Sequence, residues 1–111
     1  MAAIPTVDLD RAQLLLDNGA LMLDVREREE FDAGHVPPAR NIPLAELPDH
    51  LGDLPRNRTI VCICRSGGRS ARATLFLIES GFEVVNVEGG VIAWHLDDRP
   101  FVGAHGDPRV G

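Results

Sequence analysis

The sequence predicts an α/β fold, a parallel sheet covered by helices on both faces. Two observations carry this reading. Ala20–Val25 (ALMLDV), Thr59–Ile63 (TIVCI) and Glu83–Val87 (EVVNV) are strand-length and largely apolar, as strands buried on both faces are. Helix-like stretches stand between them, so strand and helix alternate along the chain. A length of 111 residues suits one domain with a single core.

Taken in order, Asp10 with Gln13 resembles a capping box, and Leu14, Leu15 and Leu16 follow before Asn18-Gly19 closes a first helix. The strand Ala20–Val25 comes next, then a brief polar helix over Glu27–Ala33 stopped by Gly34. His35-Val36-Pro37-Pro38 must be extended or turned, because proline disfavours helix at the residue before it. Asn41-Ile42-Pro43 supplies a short strand, and Ala45–Leu51 a helix weakened by Pro48. After the strand Thr59–Ile63, residues 69–80 form a helix ended by Gly81. Glu83–Val87 is the next strand and Gly90–Leu96 the last helix. Residues 1–100 read as one domain, and 101–111 as a Gly/Pro-rich tail that wraps the surface or frays.

Parallel strands deliver their C-terminal ends to one side of the sheet, where open α/β folds bind ligands. That side should collect Asp24-Val25-Arg26, Cys64 with the loop after it, and Glu88-Gly89-Gly90. The net charge of −6 argues against nucleic acid or an anionic membrane as partner. Yet Leu54 to Ile78 contains no acidic residue and holds Arg56, Arg58, Arg65, Arg69 and Arg72, which points to a small anionic ligand. No apolar stretch approaches the roughly 20 residues of a membrane span. The N-terminus shows no basic-then-apolar leader, and two cysteines make no disulfide framework, so a reducing cytoplasm is expected.

Residues 60–70, IVCICRSGGRS, place Cys64 where a strand gives way to a loop of glycine, serine and arginine. The thiolate is the nucleophilic form of cysteine, and an ordinary thiol is mostly protonated at neutral pH. Arg65 and Arg69 are permanent cations. Gly67-Gly68 lets successive N–H groups turn inward as an anion-binding nest, and a helix starting near Arg69 adds its positive end. Together these make a cradle for an anion centred on the Cys64 sulfur. Ser66 and Ser70 can bond the sulfur or cap the helix, and for Ser70 the cap is expected.

Cys64-Arg65-Ser66-Gly67-Gly68-Arg69-Ser70 is similar to the active-site loop of rhodanese-like sulfurtransferases. So are Leu23-Asp24-Val25-Arg26 followed by Phe31, Gly34-His35-Val36, Ala39 and Asn41-Ile42-Pro43, and so is Gly89-Gly90-Val91-Ile92-Ala93-Trp94. The resemblance covers residues 5 to 100, in order. It implies a five-stranded, mainly parallel sheet with helices on both faces. It also implies a persulfide at Cys64, loaded from thiosulfate or another sulfane donor and passed to cyanide or a thiol, with no cofactor. Pro38 departs from the pattern, which commonly has glycine there. Cysteine-dependent phosphatases and arsenate reductases use a related cradle with five residues between cysteine and arginine. Cys64 and Arg69 enclose only four, which leaves less room for a tetrahedral phosphate.

The remaining candidates read as support. On a strand, residues i and i+2 lie about 6.6 Å apart, whereas a disulfide needs Cβ atoms about 3.8 Å apart. A Cys62–Cys64 bond would distort the strand, and Cys62 is expected in the core. His35 should make a hydrogen bond that fixes its loop, and Trp94 should be core. His50, His95 and His105 show no ligand spacing with either cysteine, so no metal site is expected. Asp24 and Arg26 orient the loop arginines or only each other. Three function classes stand: a sulfurtransferase enzyme, a sulfur-relay partner that hands the persulfide sulfur to another protein, and a non-catalytic interaction domain. Intact Cys64, Arg65 and Arg69 argue against the third.

Overall fold

In the computed structural model, which describes residues 3–104 and 106–110, the chain opens with a strand that the sequence did not announce. Strand β1, Thr6–Val7, is too short for any periodicity to show. Helix α1 spans Leu9–Asp17, and its N-cap is Asp8, whose carboxylate accepts from the Arg11 N–H at 2.8 Å. The helix therefore starts ahead of the expected Asp10–Gln13 box, and the Gln13 amide donates to Asp17 instead.

Strand β2 is Leu21–Asp24, helix α2 Arg28–Ala33 and strand β3 Arg40–Asn41. The helix expected over 45–51 is instead two 3₁₀ segments, Leu44–Asp49 and Leu51–Asp53. Pro48 has no N–H to give and its ring crowds the preceding turn, so the α ladder cannot run through it. Strand β4 is Ile60–Ile63, helix α3 Gly68–Glu79, strand β5 Val84–Val87 and helix α4 Gly90–Leu96.

The five strands form one sheet in the order β1-β5-β4-β2-β3, and every pairing is parallel. Alternate residues point to opposite faces. Leu21, Leu23, Ile60, Cys62 and Val84 pack with Ala73 and Leu77 of α3 and with Leu47. Met22, Val61, Ile63 and Val87 pack on the other side with Ala12 of α1 and Val91 and Trp94 of α4. Helices thus cover both faces, as the sequence predicts. Among the described residues no helix is long and apolar enough to cross a membrane.

Helix α2 has only six residues, too few to be stable alone, and its last carbonyls need partners from elsewhere. They find them. The Glu30 carbonyl accepts from the Arg26 guanidinium, and the Phe31 carbonyl lies 2.7 Å from His35 Nδ1. The Asp32 and Ala33 carbonyls accept from the Ala104 and Arg109 N–H groups, both at 2.9 Å. His35 and Val102 exchange backbone hydrogen bonds, and the Trp94 indole N–H donates to the Pro100 carbonyl at 2.9 Å. The segment after residue 100 is therefore strapped across the end of α2. Of the expected wrapping or fraying, it wraps; His105 lies outside the described residues.

Candidate active site

Cys64 follows the last residue of β4, and the loop after it turns at once into α3. The turn requires Gly67, whose φ of +118° is strained for any side chain. It directs the Gly67 N–H at the Cys64 sulfur, 3.1 Å away. The Ser70 hydroxyl lies 3.3 Å from the same sulfur. Ser70 is thus not the helix cap: Gly67 occupies that position, and the Ser70 side chain turns inward to the Cys64 sulfur. The hydroxyl is also 3.2 Å from the Gly67 carbonyl and 2.6 Å from Asn86 Oδ1 on β5.

The third expected segment closes on the loop from the opposite side. The Val91 and Ile92 N–H groups, from the first turn of α4, donate to the Cys64 and Arg65 carbonyls at 2.8 and 3.1 Å. Gly90 has φ +61°, and a Cβ there would fall against those two carbonyl oxygens. Only glycine lets α4 approach this closely.

Burial of the Cys64 sulfur opposes ionisation. Hydrogen bonds from the Ser70 hydroxyl and from the Ser70, Gly67 and Ser66 N–H groups together outweigh it and hold the thiol below its ordinary value. Cys62, two residues back, faces the apolar layer under α3, and burial pushes its thiol up to about 12. Neither cysteine is in a disulfide, and the two thiols, one on β4 and one just past its end, are shifted in opposite directions.

Arg69 does not turn its fork to the sulfur. It makes a two-pronged ion pair with Glu30 of α2, at 2.6 and 2.9 Å. The hydrogen bond from Arg69 holds the Glu30 carboxyl down at about 2, against the opposing effect of burial. Glu30 also accepts from the Glu27 N–H at 3.0 Å, so one carboxylate caps α2 and moors the start of α3. Arg65 and Ser66 are exposed on the loop, and so is Gly68.

Asp24 and Arg26 are each other's partners, fully buried, with the guanidinium 2.7 Å from the carboxylate. Arg26 also donates to the Gly34 carbonyl at 2.7 Å, and the Asn41 amide donates to the Asp24 and Arg26 carbonyls. Of the two roles left open for this pair, the structure shows the mutual one. It locks β2, α2 and β3 together behind the loop. Trp94 is buried, and His35 stacks on Phe31 while bonding its carbonyl. Among the described residues no group of three or more His, Cys, Asp or Glu side chains could hold a metal ion.

Two members of the site carry no signal in the sequence. Glu30 lies 39 residues from the arginine it binds, with nothing in the spacing to link them. Asn86 is the only polar residue of a strand otherwise made of valine, which marks it as unusual without saying why.

A thiol held at the C-terminal edge of a parallel sheet, in a ring of N–H donors, defines a cysteine-centred α/β domain. The chain belongs to the rhodanese-like domain family, whose pattern matches residues 8–97. It is 40% identical to YtwF of Bacillus subtilis over 84 residues, 76% of this chain and 82% of that protein. It is 36% identical to a protein of Allochromatium vinosum named sulfurtransferase, over 78% of this chain and 81% of that one. Among solved structures, a rhodanese-related protein from Thermoplasma volcanium matches with a TM-score of 0.83 at 33% identity, covering 88% of this chain and 97% of its own.

Proposed function

We propose that this chain is a sulfurtransferase in which Cys64 carries the sulfur. The observation that supports the reading is the polar ring around one sulfur atom: the Gly67 N–H and the Ser70 hydroxyl within hydrogen-bond reach of a thiol that is 1% exposed. The same donors that favour a thiolate favour a persulfide anion one atom longer. With thiosulfate as donor, the Cys64 thiolate attacks the outer sulfur, the S–S bond of thiosulfate breaks, and sulfite leaves with the electron pair. An acceptor thiolate or cyanide then attacks the outer sulfur of the persulfide, and Cys64 departs as thiolate. Arg65, exposed beside the nucleophile, supplies charge that draws in an anionic donor. Arg69, held by Glu30, fixes the loop's far end.

Mass spectrometry of the intact chain after incubation with thiosulfate tests this. A gain of about 32 Da on Cys64, lost on adding cyanide or a thiol, is expected for two-step covalent transfer. Cys64→Ser should show no gain, while Cys62→Ala should load normally. Loading from a protein persulfide but not from thiosulfate would make the chain a sulfur-relay partner. No loading from either would remove the proposal.

A further inference from the structure

We propose that Asn86 is a positioning residue for Cys64, acting through Ser70: its carboxamide offers Oδ1 to the Ser70 hydroxyl while Cys64 is a thiol, and turns to offer Nδ2 when Cys64 is a thiolate. The sulfur-carrying role of Cys64 proposed above gives this inference its purpose. The argument is a count of protons. A serine hydroxyl has one hydrogen, and Ser70 has three acceptors within reach: Cys64 Sγ at 3.3 Å, the Gly67 carbonyl at 3.2 Å and Asn86 Oδ1 at 2.6 Å. The contact to Asn86 is the shortest of the three, so the relay assigns that hydrogen to Asn86 while Cys64 is a thiol. When the proton leaves Cys64 for water, the sulfur can only accept, so the hydroxyl must swing to it. Two oxygens would then face each other at 2.6 Å with no hydrogen between them. Turning the carboxamide by half a revolution puts an N–H in the gap and restores the chain Asn86 to Ser70 to Cys64.

The location supports a purpose beyond packing. Asn86 is 6% exposed, on the same face as Val84 and in register with Cys62, in a largely apolar layer whose other buried polar side chains are Ser70 and Thr74 of α3. The two protonation states do not depend on it equally. In the thiol state the hydroxyl has the Gly67 carbonyl as a second acceptor, but in the thiolate state no second donor replaces Nδ2. Removing Asn86 should therefore harm the thiolate more. The charged or titratable groups around the sulfur are Cys62 on β4, Arg65 in the loop, Arg69 of α3 with Glu30 of α2, and the Asp24–Arg26 pair at the end of β2. Asn86 variants leave all of them in place.

The test is the pH dependence of Cys64 alkylation by iodoacetamide, with circular dichroism as the check on folding. Asn86→Ala should raise the midpoint by about half a unit to one unit, slowing alkylation roughly three- to tenfold below it. In a Ser70→Ala background the same change should do almost nothing. Asn86→Asp keeps the shape, should Asn86→Ala fold poorly. Its carboxylate only accepts, so it should raise the midpoint further, and by less once Ser70 is gone. An unmoved midpoint, or equal shifts with and without Ser70, would overturn the relay. Alkylation uses no sulfur donor, so either result stands apart from whether the chain transfers sulfur.

Discussion

Cys62 and Cys64 lie two residues apart, yet burial dominates at Cys62, where Thr74 is the one hydrogen-bonding side chain, while several N–H and O–H donors surround Cys64. Their chemistry should diverge accordingly. Iodoacetamide should modify Cys64 with a midpoint below the ordinary 9.0 of a thiol, and should leave Cys62, pushed to about 12, intact in the folded chain. Peptide mapping across a pH series checks this, and equal labelling of both cysteines at neutral pH would contradict it. Cys62→Ala should cost about 1 kcal/mol for the small cavity it leaves. At this scale the sequence was legible where the site is contiguous. Cys64, Gly67 and Ser70 fall within seven residues, and their types alone suggest an anion cradle. The inward turn of Ser70 was not legible, because capping and sulfur-bonding ask for the same residue type near the same place. In the fold Gly67 takes the cap position, and the Ser70 hydroxyl meets Asn86, 16 residues away.

At the scale of elements, the Arg69–Glu30 pair ties the start of α3 to the start of α2. Its folded Glu30 sits at about 2 against an ordinary 4.5. A carboxyl depressed in this way stabilises the fold fully above the ordinary value, and that stability drains away as pH falls from about 4.5 through about 2. Both side chains are about a quarter exposed, so on the order of 1 to 2 kcal/mol is expected after solvent screening. Thermal melts of the wild type and Glu30→Gln should differ at pH 7 and converge near pH 2; a constant gap would mean the pair is not the acid-sensitive contact. Gly90→Ala should lower stability by about 1 to 3 kcal/mol, through positive φ and collision with the loop carbonyls. It should also slow Cys64 alkylation, because the loop must shift to make room. The longer elements could be read from the sequence because apolar runs and glycine stops bound them on both sides. The misses have local causes: β1 is two residues long, Asp8 and Asp10 are equally good caps on paper, and Pro48 converts a helical pattern into 3₁₀ turns.

At the scale of the whole molecule, the segment after residue 100 completes α2 by taking its last carbonyls, and α2 in turn holds Arg69. A chain ending at Pro100 should therefore melt several degrees lower, since about two to four hydrogen bonds and the Phe101 contact are lost. Its Cys64 alkylation midpoint should change little, because the sulfur's donors come from the loop and α3. A truncated chain that melts like the full one would show the strap to be superficial. The alternation of strand and helix made the parallel sheet and its two covered faces readable in advance, while the strap was only half readable. Its composition pointed to the surface, but the carbonyls it satisfies belong to residues some 70 positions earlier.

The strand order also governs when the molecule can come together. β1, at the chain's beginning, is paired to β5, near its end, with Thr6 opposite Asn86 and Val7 opposite Val87. During synthesis the first strand must wait for roughly 80 more residues, about 4 to 16 s at ordinary elongation rates. The β5 edge it will cover is the same strand that brings Asn86 to Ser70. Until that late segment emerges, Cys64 has left the ribosome without the scaffold that tunes it. The Cys64 sulfur is thus made before β5, the strand that carries Asn86 to Ser70 and pairs with β1.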